Sequence, residues 1–180
     1  MLTENGNHLY VSHEKYHQLI EKLALMVHRS GWEFDTILCL ARGGMRPGDI
    51  LSRIFDVSLA IMFISFYRDD HGTKQGHLDI AHYITTPKGQ IAGRVLLVDD
   101  LADSGVTLRA VIDMLRAKYP SITDLRSAVL WTKGVSNFKP DYSVEDLPTS
   151  PWIHQPFEIY DTMRPQQLKE RLAAAEADTI

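Results

Sequence analysis

The stretch Arg94–Thr107, RVLLVDDLADSGVT, decides the fold. It opens with the apolar run 95–98, which is short and rich in Val and Leu, as buried parallel strands are. Two adjacent carboxylates, Asp99 and Asp100, follow directly. A small polar loop then leads into apolar residues at helical spacing. The stretch therefore predicts a buried strand, a polar loop and a helix in one continuous unit.

The loop after the two carboxylates is suited to a phosphate group. Ser104 and Thr107 supply hydroxyls, Gly105 lets the backbone approach closely, and N–H groups at a helix N-terminus attract anions. The adjacent carboxylates suit neutral sugar hydroxyls or a Mg²⁺ ion instead. Together they predict a site for a phosphorylated sugar. The alternative is an ordinary turn in which Asp103 or Ser104 only caps the helix.

A second strand, loop and helix lie upstream. The apolar run 36–41 predicts a buried strand that ends in Arg42, Gly43 and Gly44, and Pro47 suits the first turn of a following helix. Arginine side chains offer forked donors for phosphate, and ligands of parallel sheets gather at the carboxyl ends of strands. We therefore expect this loop to bind phosphate or pyrophosphate; a structural turn with solvated arginines is the alternative.

The composition indicates one globular domain. Of 180 residues, 44% are hydrophobic and 23% are charged, which suffices for one proper core. A formal net charge of −4 gives no general attraction to nucleic acid or to an anionic membrane. Cys39 is the single cysteine and lies in an apolar run, which predicts a buried core residue. No membrane-spanning stretch or secretory signal is visible, so we expect a cytoplasmic protein.

A polar segment interrupts two predicted strands in the middle of the chain. Residues 57–66 and the alternating residues 78–85 read as strands, and 67–76 between them is charged and carries two glycines. This segment predicts either a long hairpin loop or a mobile lid that closes over ligand. The side chains that would act in such a lid are Ser65, Tyr67, Arg68 and Lys74.

The C-terminal part adds a strand over 125–131, with Lys133 just past its end, and a helix over 165–175. A lysine in this position is commonly solvated. Trp152 and Phe157 fit neither a helical nor a cleanly alternating pattern. Such aromatic residues on a loop either cover the core or form a platform for a planar ligand.

With these segments assembled, VLLVDDLADSGVT resembles the 5-phosphoribosyl-1-pyrophosphate (PRPP) signature of type I phosphoribosyltransferases. CLARGG resembles the pyrophosphate loop of the same family, and WTKG the segment in which purine enzymes place a base-contacting lysine. PWIHQPF is similar to the WI-x-x-PW hood segment of xanthine-guanine phosphoribosyltransferases and their archaeal purine relatives. Gly134 and Phe157 depart from that pattern. The resemblance covers about residues 10–160 in matching order.

The resemblance implies an α/β fold with a mainly parallel central sheet, helices on both sides and a small C-terminal hood. It implies a single phosphoribosyltransferase domain over 1–180. Within it, the core spans about 10–145, the hood segment about 146–160 and the C-terminal helix about 165–176.

The resemblance also assigns roles to individual residues. The PRPP-binding residues would be Arg42, Gly43, Asp99, Asp100, Asp103, Ser104, Gly105, Val106 and Thr107. The catalytic residues would be Asp103, Arg42 and Lys133, with Asp103 as general acid or base near purine N7. The base would contact Lys133, Trp152 and Ile153. A Mg²⁺ ion would lie near Asp99 and Asp100, which would also hold the ribose hydroxyls.

The implied function is transfer of the 5-phosphoribosyl group from PRPP to guanine, xanthine or hypoxanthine, with release of pyrophosphate, in purine salvage. The alternatives are transfer to another acceptor, or a non-catalytic regulator that senses PRPP or nucleotides. The expected partners are small molecules, with no nucleic acid and no membrane. The family suggests a homodimer or homotetramer.

Overall fold

A computed structural model describes residues 6–67, 77–80, 83–87 and 89–177. Contacts divide the chain into two compact units. One is formed by the two chain ends, Met1–Tyr16 and Pro151–Ile180, and the other by His17–Ser150. The expectation of a single domain over 1–180 stays a prediction.

The described residues form nine strands and five helices. The strands are β1 (His8–Tyr10), β2 (Thr36–Ala41), β3 (Ser58–Tyr67), β4 (His77–Ile80), β5 (Gly93–Val98), β6 (Leu101–Ala102), β7 (Ile122–Lys133), β8 (Tyr142–Leu147) and β9 (Trp152–His154). The helices are α1 (His13–Arg29), α2 (Met45–Phe55), α3 (Val106–Lys118), α4 (Ile159–Thr162) and α5 (Pro165–Ala177). No helix among the described residues is long and apolar enough to cross a membrane.

The larger unit is built on a seven-stranded sheet with the order β4-β3-β2-β5-β7-β6, and β8 pairs with β7. Among the strand pairs described, only β3 with β4 is antiparallel. From β2 the chain moves outward to β3, whereas from β5 it moves the opposite way to β7. The strand order thus reverses between β2 and β5, which is where open α/β sheets form their ligand crevice.

Helices cover both faces of this sheet. Strand β2 is buried along its whole length, so its alternate side chains meet opposite layers. Leu38 on one face belongs to the same apolar cluster as Val111 and Leu115 of α3. On the other face, a Cβ added to Gly48 of α2 would lie 2.8 Å from the Cβ atom of Cys39. The predicted α/β fold with a mainly parallel, helix-flanked sheet is confirmed, and so is the burial of Cys39.

The smaller unit joins the two ends of the chain. Strand β1 pairs with β9 in parallel, and the register places His8 opposite Trp152 and Tyr10 opposite His154. The sequence pattern predicts a loop at Trp152, whereas the structure has a strand there. β9 is only three residues long and pairs with β1, which is distant in sequence. A local sequence pattern therefore does not predict this strand.

We predict that Gly44→Ala destabilises the larger unit through packing alone. The backbone of Gly44 has φ −71°, which any residue adopts. A Cβ there would collide with the carbonyl oxygen of Val98 and lie 2.9 Å from the Leu40 nitrogen. Denaturant unfolding should show a loss of about 3 kcal/mol.

Gly31→Ala is the matched control for that substitution. At Gly31 φ is +67° and nothing lies within 4 Å of an added Cβ, so only the backbone cost remains. That cost is about 1 kcal/mol. Equal losses in the two variants would contradict the packing argument.

Candidate active site

The acid pair lies at the end of β5, where the backbone is tied to β7. The N–H of Asp99 donates to the Ala128 carbonyl at 3.1 Å. The carbonyl of Asp100 accepts from the N–H groups of Leu130 and Trp131 at 3.0 and 3.2 Å. These bonds hold both carboxylates at the carboxyl end of the central strands.

The two carboxylates make an electrostatically costly group. Burial raises the pKa of Asp99 well above its usual range, and the neighbouring Asp100 carboxylate raises it further. The N–H of Asp100 donates to Asp99 Oδ1 at 3.0 Å, which offsets part of that increase. A cation or sugar hydroxyls at this position would therefore relieve an existing repulsion.

The glycine loop after β2 lies against the acid pair. The peptide bond between Ala41 and Arg42 is cis. A Cβ at Gly43 would collide with the Asp100 carboxylate and lie 2.8 Å from Asp99 Oδ1. The structure thus brings the predicted pyrophosphate loop and the predicted ribose-binding acids together, and the Arg42 side chain is exposed beside them.

The predicted phosphate loop is supported by a segment that the sequence did not single out. Gly105 precedes α3 with φ +78°, and a Cβ there would lie 2.7 Å from both Ser136 Oγ and the Phe138 nitrogen. The N–H of Asn137 donates to the carbonyl of Ser104 at 2.9 Å. The segment 136–138 therefore holds the loop in shape. No local sequence signal reveals it, because the contact depends on the fold.

Lys133 and Asp103 form an ion pair at the same end of the sheet. Their Nζ and Oδ1 atoms are 3.2 Å apart, and the side chains are 8% and 60% exposed respectively. Strand β6 brings Asp103 to this place because it pairs with Trp131 and Thr132 just before Lys133. A buried lysine needs such a partner. Lys133 is therefore not solvated, as a typical surface lysine would be.

The remaining predicted site residues belong to β3, to β9 or to segments outside the described residues. Trp152 is 55% exposed and Ile153 is buried, and both belong to β9 in the smaller unit. Ser65 and Tyr67 lie in β3, and Arg68 and Lys74 lie outside the described residues. The base-binding and lid roles of these residues stay predictions.

The sequence matches a known protein family over most of its length. A model of the phosphoribosyl transferase domain matches residues 10–162. That match covers most of the chain, and so the chain belongs to this family.

Two solved structures of purine phosphoribosyltransferases are similar to this chain. A purine phosphoribosyltransferase from Pyrococcus horikoshii is 29% identical with a TM-score of 0.70, and 84% of this chain and 95% of that one are covered. A xanthine-guanine-hypoxanthine phosphoribosyltransferase from Helicobacter pylori is 27% identical with a TM-score of 0.74, over 91% and 99% of the chains. The type I phosphoribosyltransferase fold is confirmed, and purine phosphoribosyltransferases are among the structural neighbours.

The fold also occurs with another ligand. A hypothetical protein from Neisseria gonorrhoeae, solved with bound ppGpp, is 21% identical with a TM-score of 0.67, over 94% of this chain and 97% of that one. This likeness concerns the fold alone.

We predict that Asp99→Asn stabilises the protein increasingly as pH rises. The raised pKa of Asp99 means that the folded chain binds this proton more tightly than the unfolded chain. Stability from this group is therefore full at low pH and is lost as pH rises through the raised pKa. Asparagine keeps the oxygen that accepts from the Asp100 N–H but carries no charge.

The measurement is the Tm of variant and wild type from about pH 4 to about pH 8, where the gain should grow to a few degrees. Asp113→Asn, on the exposed face of α3, is the control and should show no such trend. A gain that is constant with pH would contradict the electrostatic cause.

Proposed function

We propose that this chain transfers the 5-phosphoribosyl group from PRPP to a 6-oxopurine, releasing pyrophosphate. The observation that carries the proposal is the Lys133–Asp103 pair, 3.2 Å between Nζ and Oδ1, at the sheet end that also holds the acid pair. A donor and a proton acceptor thus lie side by side next to a site suited to a phosphorylated sugar.

This spacing matches one edge of a purine. The 6-oxo group and N7 of guanine are neighbours on the same edge. The oxygen accepts a hydrogen bond, and in the N7–H tautomer of the free base N7 carries a proton that it can donate. The ammonium of Lys133 would donate to the 6-oxo oxygen, while Asp103 would face N7 and take the proton from it. Adenine carries a donor at position 6 and would oppose the lysine. The pair therefore favours guanine, xanthine and hypoxanthine.

The reaction places distinct demands on the residues around it. The bond from C1 of the ribose to pyrophosphate breaks, the bond from C1 to purine N9 forms, and the N7 proton passes to Asp103. Arg42 would offset the charge that develops on pyrophosphate. Asp99 and Asp100 would hold the ribose hydroxyls, and the 103–107 loop would hold the 5-phosphate through hydroxyls and α3 N–H groups.

Asp99 and Asp100 would supply part of the ligand set of a Mg²⁺ ion, with substrate oxygens supplying the rest. Among the residues described, no group of three or more His, Cys, Asp or Glu side chains is placed to hold a metal ion. Asp99 and Asp100 supply two carboxylates, and Mg²⁺ is commonly bound by one or two carboxylates plus phosphate oxygens and water. The ion would neutralise charge on the pyrophosphate. The proposal also includes purine salvage in the cytoplasm and assembly as a homodimer or homotetramer.

A product assay with PRPP, Mg²⁺ and five bases in parallel tests the substrate. We expect guanine, xanthine or hypoxanthine to yield nucleoside monophosphate and pyrophosphate, and adenine and uracil to yield none. Product from adenine or uracil alone would favour another acceptor. Absence of product with every base would refute the enzyme in favour of a ligand-sensing regulator.

We predict that Asp103→Asn lowers kcat about a hundredfold because the amide cannot take the N7 proton. PRPP affinity, measured by calorimetry, should change little, since the phosphate loop keeps its hydroxyls and backbone. Asp113→Asn, with the same chemical change on an exposed helix face, is the control and should leave kcat unchanged. Turnover of Asp103→Asn near that of the wild type would rule out the proton-transfer role.

A further inference from the structure

The carboxylate of Glu158 holds two ring side chains of the smaller unit. The indole Nε1–H of Trp152 donates to Glu158 Oε1 at 2.7 Å, and His154 Nδ1 lies 2.8 Å from Oε2. The Glu158 side chain is 32% exposed and that of His154 is 27% exposed. The contact with His154 is partly buried, whereas the contact with Trp152 is exposed. A carboxylate acceptor strengthens both contacts.

The imidazole of His154 is itself fixed from other directions. Its Nε2 atom lies 2.9 Å from Nδ1 of His8, and its ring stacks on Tyr10 with the centroids 4.3 Å apart and the planes 8° apart. The pairing of β1 with β9 places Tyr10 opposite His154 and His8 opposite Trp152. The contacts of His154 with His8 and Tyr10 therefore restrain its ring. Through its contact with that ring, Glu158 is held in the position from which it accepts the hydrogen bond of Trp152.

The three tryptophans of the chain provide an internal comparison. Each donates its indole N–H to a carboxylate: Trp32 to Asp124 at 2.8 Å, Trp131 to Glu145 at 3.1 Å and Trp152 to Glu158 at 2.7 Å. Trp131 is fully buried, so packing alone can hold it. Trp152 is 55% exposed, so the hydrogen bond to Glu158 has a larger share in setting its orientation.

We propose that Glu158 is a positioning residue for the acceptor base, acting through the indole of Trp152. This inference rests on the proposed function and on the contact between Trp152 and the purine base that the family resemblance implies. A ring already held in one orientation loses less freedom when the base binds, so affinity for the base increases. Removal of Glu158 should therefore weaken base binding and leave the phosphoribosyl half of the reaction unchanged.

Steady-state kinetics with Glu158→Ala and Glu158→Gln test this role. Alanine should raise KM for the purine about fivefold, with kcat and KM for PRPP within about twofold of wild type. Glutamine keeps an oxygen that accepts from Trp152 and should restore most of the base affinity. Asp124→Asn changes the same kind of carboxylate at Trp32 and should leave all three constants unchanged.

The double variant Trp152→Phe with Glu158→Ala identifies the route of the effect. Phenylalanine keeps a ring and lacks the indole N–H, so Glu158→Ala should add no further increase in KM for the base in that background. A further fivefold increase would show that Glu158 acts independently of Trp152 and would overturn the proposal.

Indole ¹H–¹⁵N NMR signals give a readout that does not depend on activity. In Glu158→Ala the Trp152 signal, assigned with Trp152→Phe, should shift and exchange faster with water, while those of Trp32 and Trp131 stay in place. An unchanged Trp152 signal, or an unchanged KM for the base in an active enzyme, would overturn the positioning role alone. A wild-type chain that transfers to none of the bases would refute the proposed function and this role with it.

Discussion

The close approach of two backbones at the centre of the sheet is the constraint on which the site depends. The loop after β2 passes so near the end of β5 that the space for a Cβ at Gly44 is taken by the carbonyl of Val98. One residue earlier, the same space at Gly43 is taken by the carboxylates of Asp99 and Asp100. Both strands are parallel and adjacent at the point where the strand order reverses. A cation-bearing loop and an acid pair can therefore meet only if two consecutive residues have no side chain.

This approach places two neighbouring carboxylates against the glycine loop. Burial and the Asp100 carboxylate both raise the pKa of Asp99, so the site carries an energetic cost before any ligand binds. The Lys133–Asp103 pair differs, because each charge there offsets the other. A ligand that accepts a hydrogen bond from the lysine and gives a proton to the carboxylate would satisfy both groups at once. The proposed function would thus use one group whose repulsion a cation or a sugar relieves and another that hydrogen-bonds to a planar base.

The sequence predicts the central strands and the helix after the polar loop well because their signals are local. The run 36–41 is β2 to the residue, and the helix expected after the polar loop is α3. Strands β1, β6 and β9 have two or three residues each, too few for a period to be read. The roles of Gly44 and the 136–138 segment come from contacts between residues distant in sequence. These contacts can be identified only from the folded structure, in which the strands lie side by side.

The residues proposed to bind PRPP and the residues proposed to contact the base are held by different kinds of contact. Residues assigned to PRPP lie in short motifs next to strands of the larger unit, where backbone clashes at Gly43, Gly44 and Gly105 leave little freedom for substitution. Trp152 and its partners belong to the unit made by the two chain ends. The hydrogen bond that Glu158 accepts from Trp152 and the contacts of His154 with Glu158 and His8 lie within that unit. Side-chain bonds of this kind can be exchanged without moving the central strands. On the proposed function, the part of base recognition assigned to Trp152 can therefore change while the phosphoribosyl site stays constant, because different physical constraints hold the two parts.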